Sequence, residues 1–133
     1  MGFINEGARA SLATLASATS ANGTKRTGTA QTTNQMHAGT LLAECSCTIV
    51  TGAVVATFAF EGSMDNSTYF PIHGPENAAY VTLAATGTTA LCCPAAASAY
   101  KYVRAVATLS GAATAAGDHT QVTTRWLRFG ELE

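Results

Sequence analysis

The sequence predicts an all-β fold: an antiparallel β-sandwich or jelly roll with an extended or partly helical N-terminal arm. Three observations carry that prediction. The segment Val54–Ile72, VVATFAFEGSMDNSTYFPI, reads as a strand of β-branched and aromatic residues that stops at Glu61-Gly62-Ser63. It turns through Asp65-Asn66-Ser67 and restarts near Thr68. Tyr100–Leu109, YKYVRAVATL, echoes it, again with a charged residue inside an alternating strand. From Met36 onward, roughly six to eight such runs follow one another between turn residues, the pattern of an all-β sandwich.

At 133 residues the chain is long enough for one domain with a real core. The change in texture near residue 35 divides it into an arm, residues 1–35, and a β-sandwich, residues 36–133. Within the arm, Ala10–Ala21 carries Leu12 and Leu15 at helical spacing, the mark of a short helix, although its Ser and Thr lower that propensity. Asn22–Asn34, NGTKRTGTAQTTN, is polar and aperiodic. It reads as a loop or arm of the kind that orders against a neighbouring subunit, or else as a disordered terminus.

The strands follow in order. Leu41, Ala43, Cys45, Cys47 and Ile49 alternate with Thr40, Leu42, Glu44, Ser46 and Thr48, which places one apolar row on one face. Val54, Ala56, Phe58 and Phe60 form the next inward row, with Val55, Thr57 and Ala59 opposite. Tyr69, Phe70 and Ile72 follow the Asp65-Asn66 turn, and Pro71 and Pro75 confine that strand to an edge or end it. Ala79–Ala85 is a further strand, and Gly87 and Thr88 are expected to turn the chain before Ala90–Cys93. Pro94 and the run Ala95–Ala99 make a connection. In Tyr100–Leu109, Val103, Ala105, Ala107 and Leu109 share one face, and Tyr100, Tyr102, Arg104, Val106 and Thr108 the other. Ser110–Asp118 is a loop, and Gln121–Phe129 a last strand with Val122, Trp126 and Phe129.

The core must rest on the larger side chains. The hydrophobic fraction of 47% includes 27 alanines, each of which removes little area from water. Charged residues are only 11%, well below the roughly 25% of an ordinary soluble domain. A surface so poor in charge suits a protein docked against copies of itself or a larger particle. The net charge of −1 argues against a nucleic-acid partner, which requires a basic face. The sequence contains no run of apolar residues long enough for a membrane helix. The start, MGFINEGARA, lacks the pattern of a secretory signal, and Glu6 spoils a myristoylation motif, so synthesis in a cytoplasm is expected.

Little in the chain points to chemistry. Cys45-x-Cys47 and Cys92-Cys93 do not have zinc-ligand spacing, and the expectation is free, buried thiols, with a cross-strand disulfide or a metal as alternatives. His37, His73 and His119 stand apart, and Glu44, Glu61, Asp65, Glu76 and Asp118 are spread singly. No nucleophile elbow or phosphate loop is present, so neither an enzyme nor a cofactor is expected. Arg104 is placed to stack on an aromatic ring, to pair with Glu61 across the sheet, or to face a partner subunit. Trp126, between Arg125 and Arg128, reads as a core anchor of the last strand or as part of an exposed aromatic and basic patch. Asn66-Ser67-Thr68 matches a glycosylation sequon but reads as turn chemistry.

The wording FEGSMDNSTYFPI at residues 60–72, followed by AYKYVRAVATLSG at Ala99–Gly111, resembles small β-sandwich proteins on the virions of tailed bacteriophages. Discoidin-like and other carbohydrate-binding sandwiches share much the same wording, because they share the turn and strand physics. The resemblance covers about the C-terminal 80 residues of the chain, and it transfers no functional residue. It implies a capsid decoration, or cement, protein on the outer shell of a virion. Its partners would be the major capsid protein or other virion proteins and identical copies, most simply a trimer, with no nucleic acid and no membrane. Candidate interface residues on that reading are Leu12, Leu15, Lys25, Arg26, Arg104 and Trp126. The alternatives are a carbohydrate-binding, host-adhesion module of a tail or fibre, and a tail-tube or connector ring subunit.

Overall fold

The computed structural model describes residues 6–11, 15–16, 24–35, 39–50, 54–72, 80–110 and 118–128. Alternation fixes the two faces of its long strands. In β5 (Gly39–Thr48), Leu41, Ala43, Cys45 and Cys47 are buried, as the sequence pattern requires. In β6 (Val55–Ser63) the buried row is Ala56, Phe58 and Phe60, continued back to Val54. β10 (Tyr102–Ser110) adds Val103, Ala105, Ala107 and Leu109. β11 (His119–Arg128) adds Val122, and β9 (Gly87–Cys92) adds Leu91. These rows meet in one core, closed at its ends by Ile72, Cys93 and Ala97. Phe58 and Phe60 are its largest members, each contributing about 2–3 kcal/mol of burial.

The remaining strands are short: β1 (Glu6–Ser11), β2 (Leu15–Ala16), β3 (Thr24–Thr27), β4 (Gln31–Thr32), β7 (Phe70–Pro71) and β8 (Tyr80–Leu83). All described pairings are antiparallel. One sheet runs β1-β11-β5-β9, with β2 also on β11. The other runs β3-β10-β6-β7, with β4 on β10 and β8 on β6.

When the pieces that share a partner edge are merged, these strands occupy eight positions in chain order. One sheet then reads 1-8-3-6 and the other 2-7-4-5. The partners 1·8, 2·7, 3·6 and 4·5 are those of a single antiparallel ribbon folded back at the Met64–Tyr69 turn. Rolling that ribbon brings β11 beside β5 and β10 beside β6. This is a jelly roll, which decides between the two architectures the sequence left open.

Several expectations for the first 35 residues are corrected. The described part of Ala10–Ala21 is strand, not helix: Ala10 and Ser11 pair with Thr124 and Thr123, and Leu15 and Ala16 pair with Thr120 and His119. The stretch expected as a loop supplies β3 and β4, which pair with β10. Thr33 anchors the following 3₁₀ turn, its N–H donating to the Lys101 carbonyl at 3.1 Å and its hydroxyl to the Tyr100 carbonyl. The described arm segments therefore sit in this chain's own sheets. Two further details differ. The chain turns at residues 84–86, so Gly87 and Thr88 already lie in β9. Tyr100 precedes β10 instead of joining its outward row.

Candidate functional site

The outward row of β10 and β6 carries a buried charge. Glu61 stands opposite Arg104 in the register, so both side chains leave the same face. Glu61 is only 7% exposed. Its carboxylate takes two hydrogen bonds on Oε1, from Arg104 Nη2 at 3.0 Å and Nε at 3.2 Å. Lys25 Nζ, from β3, donates to Oε2 at 2.7 Å. One carboxylate thus ties three strands across the sheet, and the arrangement carries a net positive charge.

The turn after β6 places an aromatic ring over this cluster. Ser63 is fully buried, and its hydroxyl accepts from the N–H groups of Asp65 at 3.2 Å and Asn66 at 2.9 Å. Asp65 Oδ1 accepts from the N–H groups of Ser67 and Thr68, both at 2.9 Å, and from the Ser63 hydroxyl at 3.0 Å. Those donors, led by Thr68 and Ser67, hold the Asp65 carboxyl below its ordinary pKa. Asn66 takes the left-handed conformation at φ 59°, which Asn tolerates better than most residues. Its side-chain oxygen accepts the Tyr69 hydroxyl. Held this way, the Tyr69 ring lies 3.6 Å from the Arg104 guanidinium carbon. Burial raises the Tyr69 phenol pKa, and the Arg104 charge opposes that rise. Met64, Phe70 and Tyr80 are exposed.

Arg104 therefore fulfils both structural roles read from the sequence, stacking and pairing with Glu61. Lys25 joins the same cluster, and Arg26 is exposed one residue further along β3. Leu12 lies outside the described residues. Leu15 is placed by its backbone in β2, and Trp126 by its backbone opposite Leu41 in β11; their side chains lie outside the described ones. Sequence reasoning does not single out Tyr69 as the ring over Arg104, although a Tyr eight residues after Glu61 across a tight turn is a usable signal.

The other sheet offers a different surface. An open depression of about 650 Å³ is lined by Glu44, Ser46, Thr88, Thr89, Gln121 and Thr123. It is hydroxyl- and amide-rich and lies on the opposite sheet from Arg104. All four cysteines are free, with Cys92 exposed and the other three buried. Burial pushes the thiols of Cys45 and Cys93 up to about 12, which suits inert core thiols. Among the described residues, no three His, Cys, Asp or Glu side chains gather as metal ligands, and no helix is long and apolar enough to cross a membrane.

No family model matches this chain, and no curated protein matches it. Among solved structures it is similar to a chain in "Structure of infectious bursal disease virus Gx strain", at 11% identity and a TM-score of 0.46. The match takes in 95% of this chain and 31% of that one, so this chain spans about a third of its neighbour's length. A likeness at that level carries no inference about fold or role.

Proposed function

We propose that this chain is a non-enzymatic structural protein of a virus particle, of the capsid decoration type, acting by contact with identical copies and with the shell beneath. The jelly roll is an architecture of viral capsid and lectin domains, and an architecture alone does not choose a function. The observation that carries the choice is the outward surface. Thr57, Ala59, Thr82, Thr88, Ala90 and Thr108 occupy outward positions on both sheets, and the buried carboxylate of Glu61 is paired within the chain with Lys25 and Arg104. Small neutral side chains desolvate cheaply, so broad, shallow contacts form without leaving charges unpaired. Each copy then bridges neighbouring shell subunits, and many weak identical contacts act together by avidity.

The test is to add the purified chain to viral heads from which it has been stripped. Stoichiometric rebinding and a higher temperature of head rupture are expected. A chain absent from purified particles and without affinity for heads overturns the proposal. Removing residues 1–20 is a poor probe here, because it deletes β1 and β2 from the sheet built on β11.

A second reading, a carbohydrate-binding module, is favoured by one specific feature: the Arg104–Tyr69 stack with Tyr80 and Phe70 exposed nearby in the same sheet. Titration with host polysaccharide, followed by the NMR resonances of Tyr69 and Arg104, tests it. Shifts confined to these residues support it, and unmoved resonances remove it.

A further inference from the structure

The run from Asn77 to Tyr100 contains no charged residue and no histidine, and its one proline is Pro94. It supplies β8 and β9, the outermost strands on one side of each sheet, which lie side by side. Among the described residues no strand pairs with the outer edge of β9. The other side of the sandwich differs: β1 carries Glu6 and Arg9, and β3 carries Lys25 and Arg26. Soluble proteins blunt a free strand edge with Lys, Pro, bulges or inward charges. β9, GTTALC, has none of the residue types that do so.

Its hydrogen-bonding phase is fixed. The Cys93 N–H donates to the Leu41 carbonyl at 2.8 Å, and the register continues Leu91 opposite Ala43, Thr89 opposite Cys45 and Gly87 opposite Cys47. In an antiparallel ladder the alternate residues turn their N–H and C=O groups the other way. Thr88, Ala90 and Cys92 therefore present backbone donors and acceptors to the open edge, and their side chains are exposed as well.

We infer that β9 pairs antiparallel with β9 of a second copy of this chain, about a two-fold axis, joining two jelly rolls edge to edge. The occupant follows from charge. An isologous contact sets the same patch of both copies together, residue i against j and j against i, so an ionised side chain at the axis opposes its own like charge. The edge without ionised residues is the one that meets its own copy at no such cost. The charged edges on the far side lack that property. The contact names the neighbour in the assembly proposed above and rests on that reading, yet the two fail separately.

The experiment follows the full-length chain by sedimentation velocity over a range of concentrations, together with amide hydrogen exchange. Dimers or larger species are expected, with the amides of Thr88, Ala90 and Cys92 becoming protected as concentration rises. Ala90→Lys and Thr88→Lys place like charges across the axis and are expected to weaken association by roughly tenfold or more. Both positions are exposed in the single chain, so the melting temperature measured at dilutions where the chain is monomeric should be unchanged, and Ala90→Ser serves as a neutral control that keeps association. Amides at these positions that exchange equally fast in dilute and in assembled protein overturn the inference, as does unaltered assembly of both Lys variants. Protected β9 amides in a chain that never joins particles leave this contact standing and remove the virion role. Unprotected amides in a chain that does join particles do the reverse.

Discussion

Gly62 sits directly beneath the ring of Tyr100: a Cβ on Gly62 would stand 2.5 Å from both Cγ and Cδ2 of the tyrosine and 3.0 Å from its Cβ. These atoms lie close to the Tyr100 backbone, which is itself held by N–H donation to the Ala97 carbonyl at 3.0 Å. The ring cannot swing away cheaply. The glycine is thus required for space, where β6 ends against the connection from Ala95 to Ala99.

Gly62→Ala is expected to destabilise the fold by about 1–3 kcal/mol through overpacking, read from the denaturant midpoint. Pairing it with Tyr100→Ala should recover part of that loss, as a coupled cycle requires. A single mutant as stable as the parent chain contradicts the contact.

The Glu61 cluster predicts an unequal response from its two cations. Lys25 has a side chain 46% exposed, and Lys25→Ala should cost about 0–1 kcal/mol. Arg104 is 22% exposed, gives two hydrogen bonds and stacks on Tyr69, so Arg104→Ala should cost about 1–3 kcal/mol. The double variant leaves Glu61 buried without either cation and should lose more than the sum of the two. Thermal unfolding of the four proteins decides the matter, and strict additivity counts against a shared cluster.

Much of this was legible beforehand, for reasons specific to the residues. The inward rows of β5, β6 and β10 follow from period-two alternation of large apolar side chains, and the Asp65-Asn66 turn from side chains that bond their own backbone. Arg104 opposite Glu61 was also readable. The strands of the first 35 residues were not. TKRT and QT have no apolar alternation, and their order comes from pairing with β10, which lies far along the chain and leaves no local trace. Alternation places Tyr100 in the outward row because it cannot register the 3₁₀ turn at Ala95–Ala99 that takes it out of the strand.

Asp65 gives the chain an acid-sensitive turn. Its pKa is lowered in the fold, chiefly by the Thr68 and Ser67 N–H groups, so its contribution is complete above the unfolded value of about 4. That contribution is lost as pH falls through the lower folded pKa. Relative to the intrinsic exchange rate at each pH, the protection of the Ser67 and Thr68 amides measured by NMR should fall on acidification, and Asp65→Ala should abolish that change. A titration of Asp65 at or above the ordinary carboxyl value contradicts the turn geometry.

The thiols should divide by location. Cys92 should react quickly with a disulfide reagent in the native protein, whereas Cys45, Cys47 and Cys93 should react only on unfolding. Burial raises all three buried thiols, Cys45 and Cys93 to about 12, so the fold holds them protonated. Stability from these groups is present below about pH 8.5, the unfolded value, and falls as pH rises from there toward about 12. Rapid labelling of all four thiols in the folded chain contradicts the core described above.

The most direct test of the proposed role, a jelly roll that works by contact with copies and a shell, is cryo-electron microscopy of the virus particle proposed to carry this chain. Repeated density on the outer shell, into which the 1-8-3-6 and 2-7-4-5 sheets fit, is expected. A particle without such density, together with a chain that stays monomeric in solution, contradicts it.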